Sequence, residues 1–456
     1  MKRTLLALCL ALALVVPAAA QAAKKPFAIA DLYRLKTVAD PQISPDGTKI
    51  AFVVTESDLA KGRTNSDLYL MNADGSGLRR LTTSDKPDDH PRWAPDGKSL
   101  LFISSRKDGP QVWRLPADLG EPEALTKLST GVSDAEWSPD GKSILFISEV
   151  FPECGADDAC NQKIQKGLDE GALQAHMADA LLYRHWTEYR DGKRVHTFKL
   201  DVASGTVTDL TPGDVDTPPY FLGGRPFSIS PDSKEVCVVS KRDPVEAVST
   251  NDDLFVIPLA GGEARCITAG NPAYDGEPLY SPDGRYIAYR CQKTPGYEAD
   301  RFRLAVYDRQ AATSRVLTES FDNWVDDFAW TPDSKALLFV AEEEARYPVY
   351  RVELATGAIS PVIPGEEAKT IRGFELSPDG KRLVFGRTAV GEPVEIWARN
   401  LAGGAPQRLT AINQAVADEV DIRPAEEMWF SGADGKPVHT FIVKPHNFDP
   451  AKKYPL

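Results

Sequence analysis

A four-residue motif, Ser-Pro-Asp-Gly or a close variant, recurs seven times and constrains the fold of this 456-residue chain more than any other feature. The motif prolines are Pro45, Pro95, Pro139, Pro231, Pro282, Pro332 and Pro378, at intervals of 50, 44, 92, 51, 50 and 46 residues. A repeat of this length is typical of propellers and solenoids rather than of a fold with a single core. The long third interval indicates an insertion.

The residues around each motif predict β-strands. An apolar or aromatic residue precedes the motif, as Trp93 and Trp137 do, and an apolar run such as residues 100–103 follows it. Pro presets φ for a tight turn, Asp accepts hydrogen bonds from nearby amides, and Gly adopts the left-handed conformation. A third strand follows, and a fourth ends in a pair such as Leu81-Thr82. Four strands in each of seven units predict an all-β fold, a seven-bladed β-propeller over residues 23–422.

Residues 151–191 differ from the blades and form the predicted insertion in blade three. Apolar residues recur there at helical intervals, which predicts a helical insertion: Ile164, Leu168, Ala172, Met177 and Leu181. The next stretch, residues 183–193, is dense in aromatic and charged side chains. It is either a binding face or a helix that packs on the blade edge with Trp186 and Tyr189 as its anchors, and the sequence favours neither alternative.

The charge of the chain excludes a general role on nucleic acid. Lys and Arg number 53 against 66 Asp and Glu, a net charge of −13, and no basic cluster supplies a phosphate-binding stripe. The six histidines are scattered and none belongs to a metal-binding motif, so neither a metal nor a cofactor is expected.

The first residues have the pattern of a secretory signal peptide. Lys2 and Arg3 precede an apolar run over residues 4–16, and Ala20-Gln21-Ala22 resembles a cleavage site. The run is too short to span a bilayer, and the alternative is a buried N-terminal helix. We therefore expect residues 1–22 to be removed and the protein to be exported to the periplasm or secreted, without a membrane span.

Cysteine usage fits an oxidising compartment. Cys154 and Cys160 are close enough in sequence to form a disulfide across a short loop, and two free thiols are the alternative. The pairing of Cys237, Cys266 and Cys291 stays open, since an odd number of cysteines follows the signal segment.

The chain has no recognisable nucleophilic apparatus. No Gly-x-Ser-x-Gly elbow and no His-Gly-Gly loop occurs, so we expect no catalytic residue within these 456 residues. After the last blade, residues 428–431 and 438–443 flank the turn Ala433-Asp434-Gly435 and predict a hairpin. Residues 423–456 are therefore interpreted as a linker and the start of a further domain, whose remainder is missing.

These features together resemble the prolyl oligopeptidase family of serine peptidases. The resemblance rests on the repeated turn motif, residues 427–430, Asp434-Gly435-Lys436 and the closing residues 453–456. The segment Tyr183-Arg184-His185-Trp186 and the preceding cysteine pair are most similar to the dipeptidyl-peptidase 5 and acylaminoacyl-peptidase branch. This resemblance implies a propeller that restricts access to an α/β-hydrolase domain, which carries the catalytic triad and releases dipeptides or acylated amino acids from short peptides.

The resemblance also implies that the propeller helps to hold the amino terminus of a substrate. The candidate substrate-binding residues are Glu170, Tyr183, Arg184, His185, Trp186 and Glu188. Carboxylates are candidates because a buried ammonium group needs an opposite charge. The expected partners are short peptides and the hydrolase domain itself, and a homo-oligomer is possible. The alternative function is a stand-alone periplasmic scaffold of the TolB type, which binds other proteins.

Overall fold

The computed structural model describes residues 23–118, 120–219 and 224–455. Seven four-stranded antiparallel sheets surround a central channel, and residues of the innermost strand of every sheet line that channel. The expected seven-bladed propeller is confirmed. The predicted signal peptide, residues 1–22, lies outside the described residues.

The lead-in consists of β1 (Lys25–Pro26) and α1 (Ile29–Leu32). Blades one and two consist of β2 (Thr37–Ile43), β3 (Lys49–Asp58), β4 (Arg63–Asn72) and β5 (Arg79–Arg80), then β6 (Asp88–Trp93), β7 (Ser99–Ser104), β8 (Gln111–Pro116) and β9 (Glu123–Ala124). Blade three begins with β10 (Ser133–Trp137) and β11 (Ser143–Val150), continues through an insertion with α2 (Asp158–Glu170), β12 (Arg184–His185) and β13 (Glu188–Tyr189), and ends with β14 (Arg194–Asp201) and β15 (Val207–Asp209).

Blades four and five consist of β16 (Phe227–Ile229), β17 (Glu235–Ser240), β18 (Asp253–Pro258) and β19 (Arg265–Cys266), then β20 (Asp275–Tyr280), β21 (Tyr286–Cys291), β22 (Arg303–Asp308) and β23 (Thr313–Val316). Blade six consists of β24 (Val325–Trp330), β25 (Ala336–Ala341), β26 (Val349–Glu353) and β27 (Ile359–Ile363), and α3 (Gly365–Ala368) follows it. Blade seven consists of β28 (Thr370–Leu376), β29 (Arg382–Ala389), β30 (Glu392–Asn400) and β31 (Gln407–Arg408). The chain continues through α4 (Gln414–Glu419), β32 (Val420–Asp421), β33 (Glu426–Ser431) and β34 (Pro437–Ile442).

The repeated motif forms the turn between the first and second strands of each blade. In blade one, the Ser44 hydroxyl donates to Asp46 Oδ1 at 2.6 Å, and the Thr48 backbone N–H donates to the same oxygen at 3.0 Å. The Ser44 hydroxyl also accepts a hydrogen bond from the Lys49 backbone at 2.9 Å. The hydrogen bond from Ser44 is the main cause of the lowered pKa of Asp46. The motif residues thus satisfy the polar groups of the turn that they form.

A threonine hydroxyl joins the third and fourth strands in six blades. Thr82 Oγ1 accepts a hydrogen bond from the Leu68 backbone N–H at 3.0 Å and donates to Asp67 at 3.2 Å. The equivalent acceptors in the other blades are Thr126, Thr211, Thr268, Thr318 and Thr410. Blade six has Ile363 at this place, where it is fully buried.

The hydrophobic core lies between neighbouring blades. Each second strand contributes buried aliphatic or aromatic side chains to both of its faces, as Leu100, Leu101 and Phe102 do. Blades one and seven pack against each other in the same way, with Phe52 and Ile396 in one cluster. No strand is exchanged between these two blades, because each is built from consecutive strands. Side-chain packing therefore closes the ring.

The lead-in supports this closure from outside the core. β1 pairs in parallel with β32. The Lys36 backbone N–H donates to Asn413 Oδ1 at 2.8 Å, and Asn413 Nδ2 donates to the Lys36 carbonyl at 3.0 Å. Arg34 and Lys25 both form ion pairs with Glu419, at 2.9 Å for Lys25. We call Lys25, Asp31, Arg34 and Glu419 the ring clasp.

The helix of the insertion is shorter than the apolar pattern predicts. α2 ends at Glu170 because Gly171 adopts an extended conformation, with φ −65° and ψ 161°. The expected continuation through Ala172, Met177 and Leu181 is wrong, since residues 171–183 contain neither helix nor strand. Glycine has a low helix propensity, because its backbone loses more conformational entropy in a helix than that of other residues. A small antiparallel hairpin, β12 paired with β13, follows instead.

The two ends of the propeller differ in what they carry. The motif turns lie at one end, here called the turn face. Because strands alternate in direction, the connections between second and third strands lie at the opposite end, here called the loop face. The insertion is one of these connections. The hairpin of β33 and β34 is on the same side, because Glu427 pairs with Arg346 of the connection between β25 and β26.

Candidate functional site: the central channel and the loop face

Two rings of residues surround the central channel, and all members of the second ring line its cavity. Their positions are fixed by the repeat: five and three residues before each motif proline. The first ring consists of Asp40, His90, Asp134, Pro226, Glu277, Asp327 and Gly373, and the second of Gln42, Arg92, Glu136, Ser228, Leu279, Ala329 and Glu375. The cavity between them has a volume of about 550 Å³.

A bulge in the inner strands shapes the first ring. The pairing of first and second strands shifts at this position in blades one, two, three, five, six and seven. Asp40, His90, Asp134 and Glu277 all have φ between 47° and 56°. This left-handed conformation is uncommon outside glycine and is often found at functional positions. The bulge adds twist to the strand and re-aims its side chains.

Charged groups concentrate on the side of the channel formed by blades one, two, three and seven. Arg92 lies 2.8 Å from Asp40 Oδ2 and 2.7 Å from Glu136 Oε1. Glu375 accepts a hydrogen bond from the Ile43 backbone N–H. Burial raises the pKa of Glu375 to about 8 and that of Asp89 to about 6. Acidic groups therefore outnumber basic groups on this side.

The opposite side of the channel is more apolar. Phe328 lies against the Arg225 guanidinium, 5.5 Å from the ring centroid. Glu277 pairs with Arg290 at 2.6 Å, and burial raises the pKa of Glu277. Leu279 and Ala329 complete this wall. The channel therefore has one strongly charged wall and one wall that combines Arg225 and Glu277 with apolar side chains.

A second cavity lies beside the insertion on the loop face. It has a volume of about 380 Å³ and is lined by Asp134, Glu149 and Lys193, together with Pro218 and Pro219. Partial desolvation raises the pKa of Glu149. The cavity thus holds two carboxylates, Asp134 and the exposed Glu149, beside the ammonium group of Lys193. Glu149 was not among the sequence candidates, although it stands at the end of a predicted strand next to the insertion.

The structure brings five of the six sequence candidates together. Tyr183, Arg184, His185, Trp186 and Glu188 all lie on or beside the hairpin of β12 and β13 and are exposed. Glu170 is not among them, because it ends α2, where it pairs with Lys166 at 3.7 Å. Whether these residues bind substrate stays a prediction.

Aromatic contacts give the hairpin its form. The rings of His176 and Tyr189 are stacked with centroids 3.6 Å apart, and Tyr183 lies 6.3 Å from Tyr189. Trp186 remains 84% exposed. The hairpin thus presents an aromatic surface to solvent rather than packing its tryptophan on the blade edge.

Both ends of the insertion are attached to the propeller. Cys154 and Cys160 form a disulfide, with Cα atoms 5.5 Å apart, before α2. Asn161 is buried there and accepts a hydrogen bond from the Phe151 backbone N–H at 2.9 Å. At the other end, the buried Arg190 pairs with Asp216 and, at 3.1 Å, with Glu246. The insertion therefore leaves and rejoins the blade at fixed points.

Exposed large apolar side chains concentrate on the loop face. Apart from Leu78 and Val316, those of the described chain belong to the lead-in, to loop-face connections or to the segment after blade seven. They include Leu173, Met177, Trp186, Val245, Val248, Tyr297, Trp324, Met428, Trp429, Phe430 and Phe441. Exposed apolar side chains that form a contiguous patch are typical of interaction sites.

Two kinds of feature, a membrane-spanning helix and a metal-binding group of side chains, are absent from the described residues. Within residues 23–118, 120–219 and 224–455, no helix has both the length and the apolar character that crossing a bilayer requires. In the same part of the chain, no three His, Cys, Asp or Glu side chains are grouped as a metal site would need.

Known proteins with similar sequences are peptidases. A family model described as the TolB beta propeller domain matches residues 32–167. Dipeptidyl-peptidase 5 of Porphyromonas gingivalis is 29% identical over 429 residues, which cover 92% of this chain and 61% of that protein. The uncharacterized peptidase YuxL of Bacillus subtilis is 26% identical over 455 residues, covering 95% of this chain and 66% of that protein. The chain thus spans about three fifths to two thirds of the length of these relatives.

Solved structures share the fold. An acylaminoacyl peptidase in complex with a chloromethyl ketone has a TM-score of 0.70 at 15% identity, over 93% of this chain and 60% of that one. The propeller domain of the Trilobed protease from Pyrococcus furiosus has a TM-score of 0.56 at 15% identity, over 84% of this chain and 97% of that domain. The resemblance inferred from the sequence is confirmed: the chain is a relative of dipeptidyl-peptidase 5 and peptidase YuxL, and it has the propeller fold of the acylaminoacyl and prolyl oligopeptidases.

Proposed function

We propose that this chain is the substrate-gating propeller part of an exported serine exopeptidase, which releases dipeptides or acylated amino acids from short peptides. The peptidase names of the relatives and their greater length support this proposal. In it, the catalytic serine, histidine and aspartate belong to a hydrolase domain outside these 456 residues. The propeller binds that domain and limits which peptides reach it.

The observation that carries the proposal is the contrast between the two faces. The loop face holds nearly all the exposed large apolar side chains, together with the insertion and the hairpin of β33 and β34. The hairpin alone exposes Met428, Trp429, Phe430 and Phe441. An isolated two-stranded hairpin is marginal in water. A hydrolase domain seated on this face would bury these side chains and extend the hairpin into a larger sheet.

The cavity beside the insertion supports an exopeptidase rather than an endopeptidase. Its two carboxylates, Asp134 and Glu149, suit the free α-ammonium group of a peptide. Ammonium and carboxylate attract most strongly where water is excluded. Glu149 is exposed in this chain, and a domain seated on the loop face would exclude water from it. We assign it the leading role because it lies beside the insertion, close to Glu188 and Lys193.

Export is part of the same proposal. The pattern of residues 1–22 and the disulfide between Cys154 and Cys160 both favour an oxidising compartment outside the cytoplasm. Fractionation of cells that produce the protein, followed by sequencing of the mature N-terminus, tests this point. Mature protein that starts at Met1 in the cytoplasm would contradict it.

Peptidase activity is the direct test. We expect the natural gene product that contains this chain to hydrolyse dipeptidyl 4-nitroanilides and to lose this activity after treatment with a serine-directed phosphonate. The isolated 456-residue chain should hydrolyse none above background, because it lacks a nucleophile elbow. A natural gene product that binds proteins and shows no peptidase activity would favour the scaffold alternative.

Substitution of Glu149 tests the role of the cavity. In the active protein, Glu149→Gln should raise KM about tenfold for dipeptidyl substrates with a free amine, since a charge pair that the hydrolase domain would shield from water loses one partner. The same change should leave N-acylated substrates nearly unaffected. Asp118→Asn is the matched control, because Asp118 is 91% exposed in the connection between β8 and β9, on the turn face. Equal effects on free and acylated substrates would contradict the assignment.

A further inference from the structure

A pocket between blades four and five is separate from the central channel. It has a volume of about 470 Å³, within the range of small-molecule sites. The floor is the face of blade five that carries Tyr289 and Tyr307. Its rim is the end of blade four, including Ile267 and Asn271. Neither the proposed gating role nor the insertion uses this pocket.

Three of its residues form a row across blade five. Asp275 is paired with Cys291, and Cys291 is paired with Arg303 on the next strand. Residues paired in this way project from the same face of a sheet. Two strand spacings separate the first and last members, so the backbones of Asp275 and Arg303 are about 10 Å apart.

Asp275 is the acidic end of this row. It is 1% exposed, and its Oδ1 accepts a hydrogen bond from Asn271 at 3.0 Å. Within the described residues its Oδ2 has no hydrogen-bond partner. The buried Asp252 stands next to it, since the Asp275 backbone N–H donates to the Asp252 carbonyl at 2.8 Å. Burial is the main cause that raises the pKa of Asp275, to about 8. A buried carboxyl oxygen without a hydrogen-bond partner destabilises the folded protein, unless a ligand supplies that partner.

Arg303 and Lys293 form the basic end. Both line the pocket. Arg303 Nη1 donates to the Arg301 carbonyl at 2.8 Å and lies 3.5 Å from Asp300 Oδ2, and Arg303 Nε lies 3.5 Å from Glu319 Oε2. Lys293 is 70% exposed and lies 3.3 Å from Glu319. Glu319 also lines the pocket, is 56% exposed and pairs with both cations. A ligand carboxylate would bind Arg303 and Lys293 in place of this exposed carboxylate, since the guanidinium fork suits a carboxylate.

We propose that this inter-blade pocket binds a small zwitterion of dipeptide length, with its ammonium group at Asp275 and its carboxylate at Arg303 and Lys293. The ammonium group would ionise the Asp275 carboxyl group that it contacts, and the cations at the other end of the row would hold the carboxylate, so the two ends set the orientation. Tyr289 and Tyr307 provide an aromatic wall for an apolar side chain between the two charges. The inference does not depend on the proposed peptidase function.

Calorimetric titration of the 456-residue chain with three related probes tests this assignment. Glycyl-tyrosine carries both charges, N-acetyl-glycyl-tyrosine lacks the ammonium group, and glycyl-tyrosine amide lacks the carboxylate. We expect glycyl-tyrosine to bind and each of the other probes to bind at least about tenfold more weakly. Failure of glycyl-tyrosine to bind, or equal binding of all three probes, would overturn the proposal and indicate that the pocket holds only water.

Asp275→Asn separates this pocket from any other dipeptide site. The variant keeps an acceptor for Asn271 and removes the carboxyl group that can ionise against the ammonium group, so glycyl-tyrosine affinity should fall about tenfold or more. Its melting temperature without ligand should equal or exceed that of the wild type, because an unsatisfied buried acid is lost. Asp118→Asn is the control and should bind as the wild type does. Unchanged affinity in a folded Asp275→Asn protein would show that the dipeptide binds elsewhere.

Discussion

At the residue scale, each motif turn needs one residue in the left-handed conformation. Glycine supplies it five times and serine twice: Gly47, Gly97, Gly141, Gly284 and Gly380, then Ser233 and Ser334. The serines form a contact that glycine lacks. The Ser233 hydroxyl accepts a hydrogen bond from the Asp140 backbone N–H at 3.1 Å, and Ser334 accepts one from Asp283 at 3.1 Å. Both bonds join neighbouring blades.

Two glycine substitutions should separate backbone strain from crowding. Gly97 and Gly380 have nearly equal φ, 69° and 71°. A Cβ on Gly97 would lie 3.8 Å from Pro45, whereas one on Gly380 would lie 3.0 Å from Pro332. We expect Gly97→Ala to lower the free energy of unfolding by about 1 kcal/mol and Gly380→Ala by about 2 kcal/mol or more. Denaturant unfolding measures both, and equal losses would show that strain alone matters.

The sequence predicted the turns but not the channel. The motif residues are nearly invariant along the chain, because every turn has the same geometry. The channel positions vary instead, from Asp134 to Pro226 and Gly373, because each blade contributes a different group to one shared cavity. Their constant spacing from the motif proline is a signal that could have located them. Their partners, such as Arg92 with Asp40, depend on how blades meet and are not readable from spacing.

At the element scale, the insertion shows where local patterns stop being informative. Helical spacing of apolar residues correctly marked part of α2, and the glycine at 171 set its end. The candidate carboxylate Glu170 ends this helix and pairs with Lys166. Glu149 replaces it as the leading candidate because a strand carries it to the same cavity as Asp134. Both residues belong to blade three, and the pairing of β10 with β11 brings them together.

The ring clasp should make the free energy of unfolding depend on pH in the acidic range. The hydrogen bond from Arg34 is the main cause that lowers the pKa of Asp31, to about 2, and that of Glu419 is lowered by the same residue. A carboxyl group whose pKa is lowered by folding stabilises the native state above its unfolded pKa of about 4, and this contribution disappears as pH falls towards 2. The stability deficit of Asp31→Asn should therefore be largest near neutral pH.

Urea unfolding of wild type and Asp31→Asn at several pH values between 7 and about 3 measures this dependence. We expect the two unfolding midpoints to converge as the solution becomes more acidic. Added salt at pH 7 should narrow the gap as well, because the clasp is partly exposed to solvent. A constant difference at every pH would contradict the clasp.

At the scale of the whole molecule, the propeller is a ring with one polar end and one apolar end. The turn face consists of hairpin turns whose polar groups form hydrogen bonds within the turn, as Ser44 and Asp46 do. The loop face carries the insertion, the cavity with Glu149 and the hairpin of β33 and β34. The turn face is uniform because it is built from repeats of one supersecondary unit. The second end is where the repeat is interrupted, and interruptions are where function is added to a repeated scaffold.

Hydrogen–deuterium exchange tests most directly whether the loop face is built to be covered. The isolated 456-residue chain and the natural gene product are compared peptide by peptide. We predict that the natural gene product protects residues 173–189, 245–248 and 426–443, while peptides that cover the motif turns exchange equally in both. Unchanged exchange on the loop face, or protection confined to the motif turns, would contradict the account.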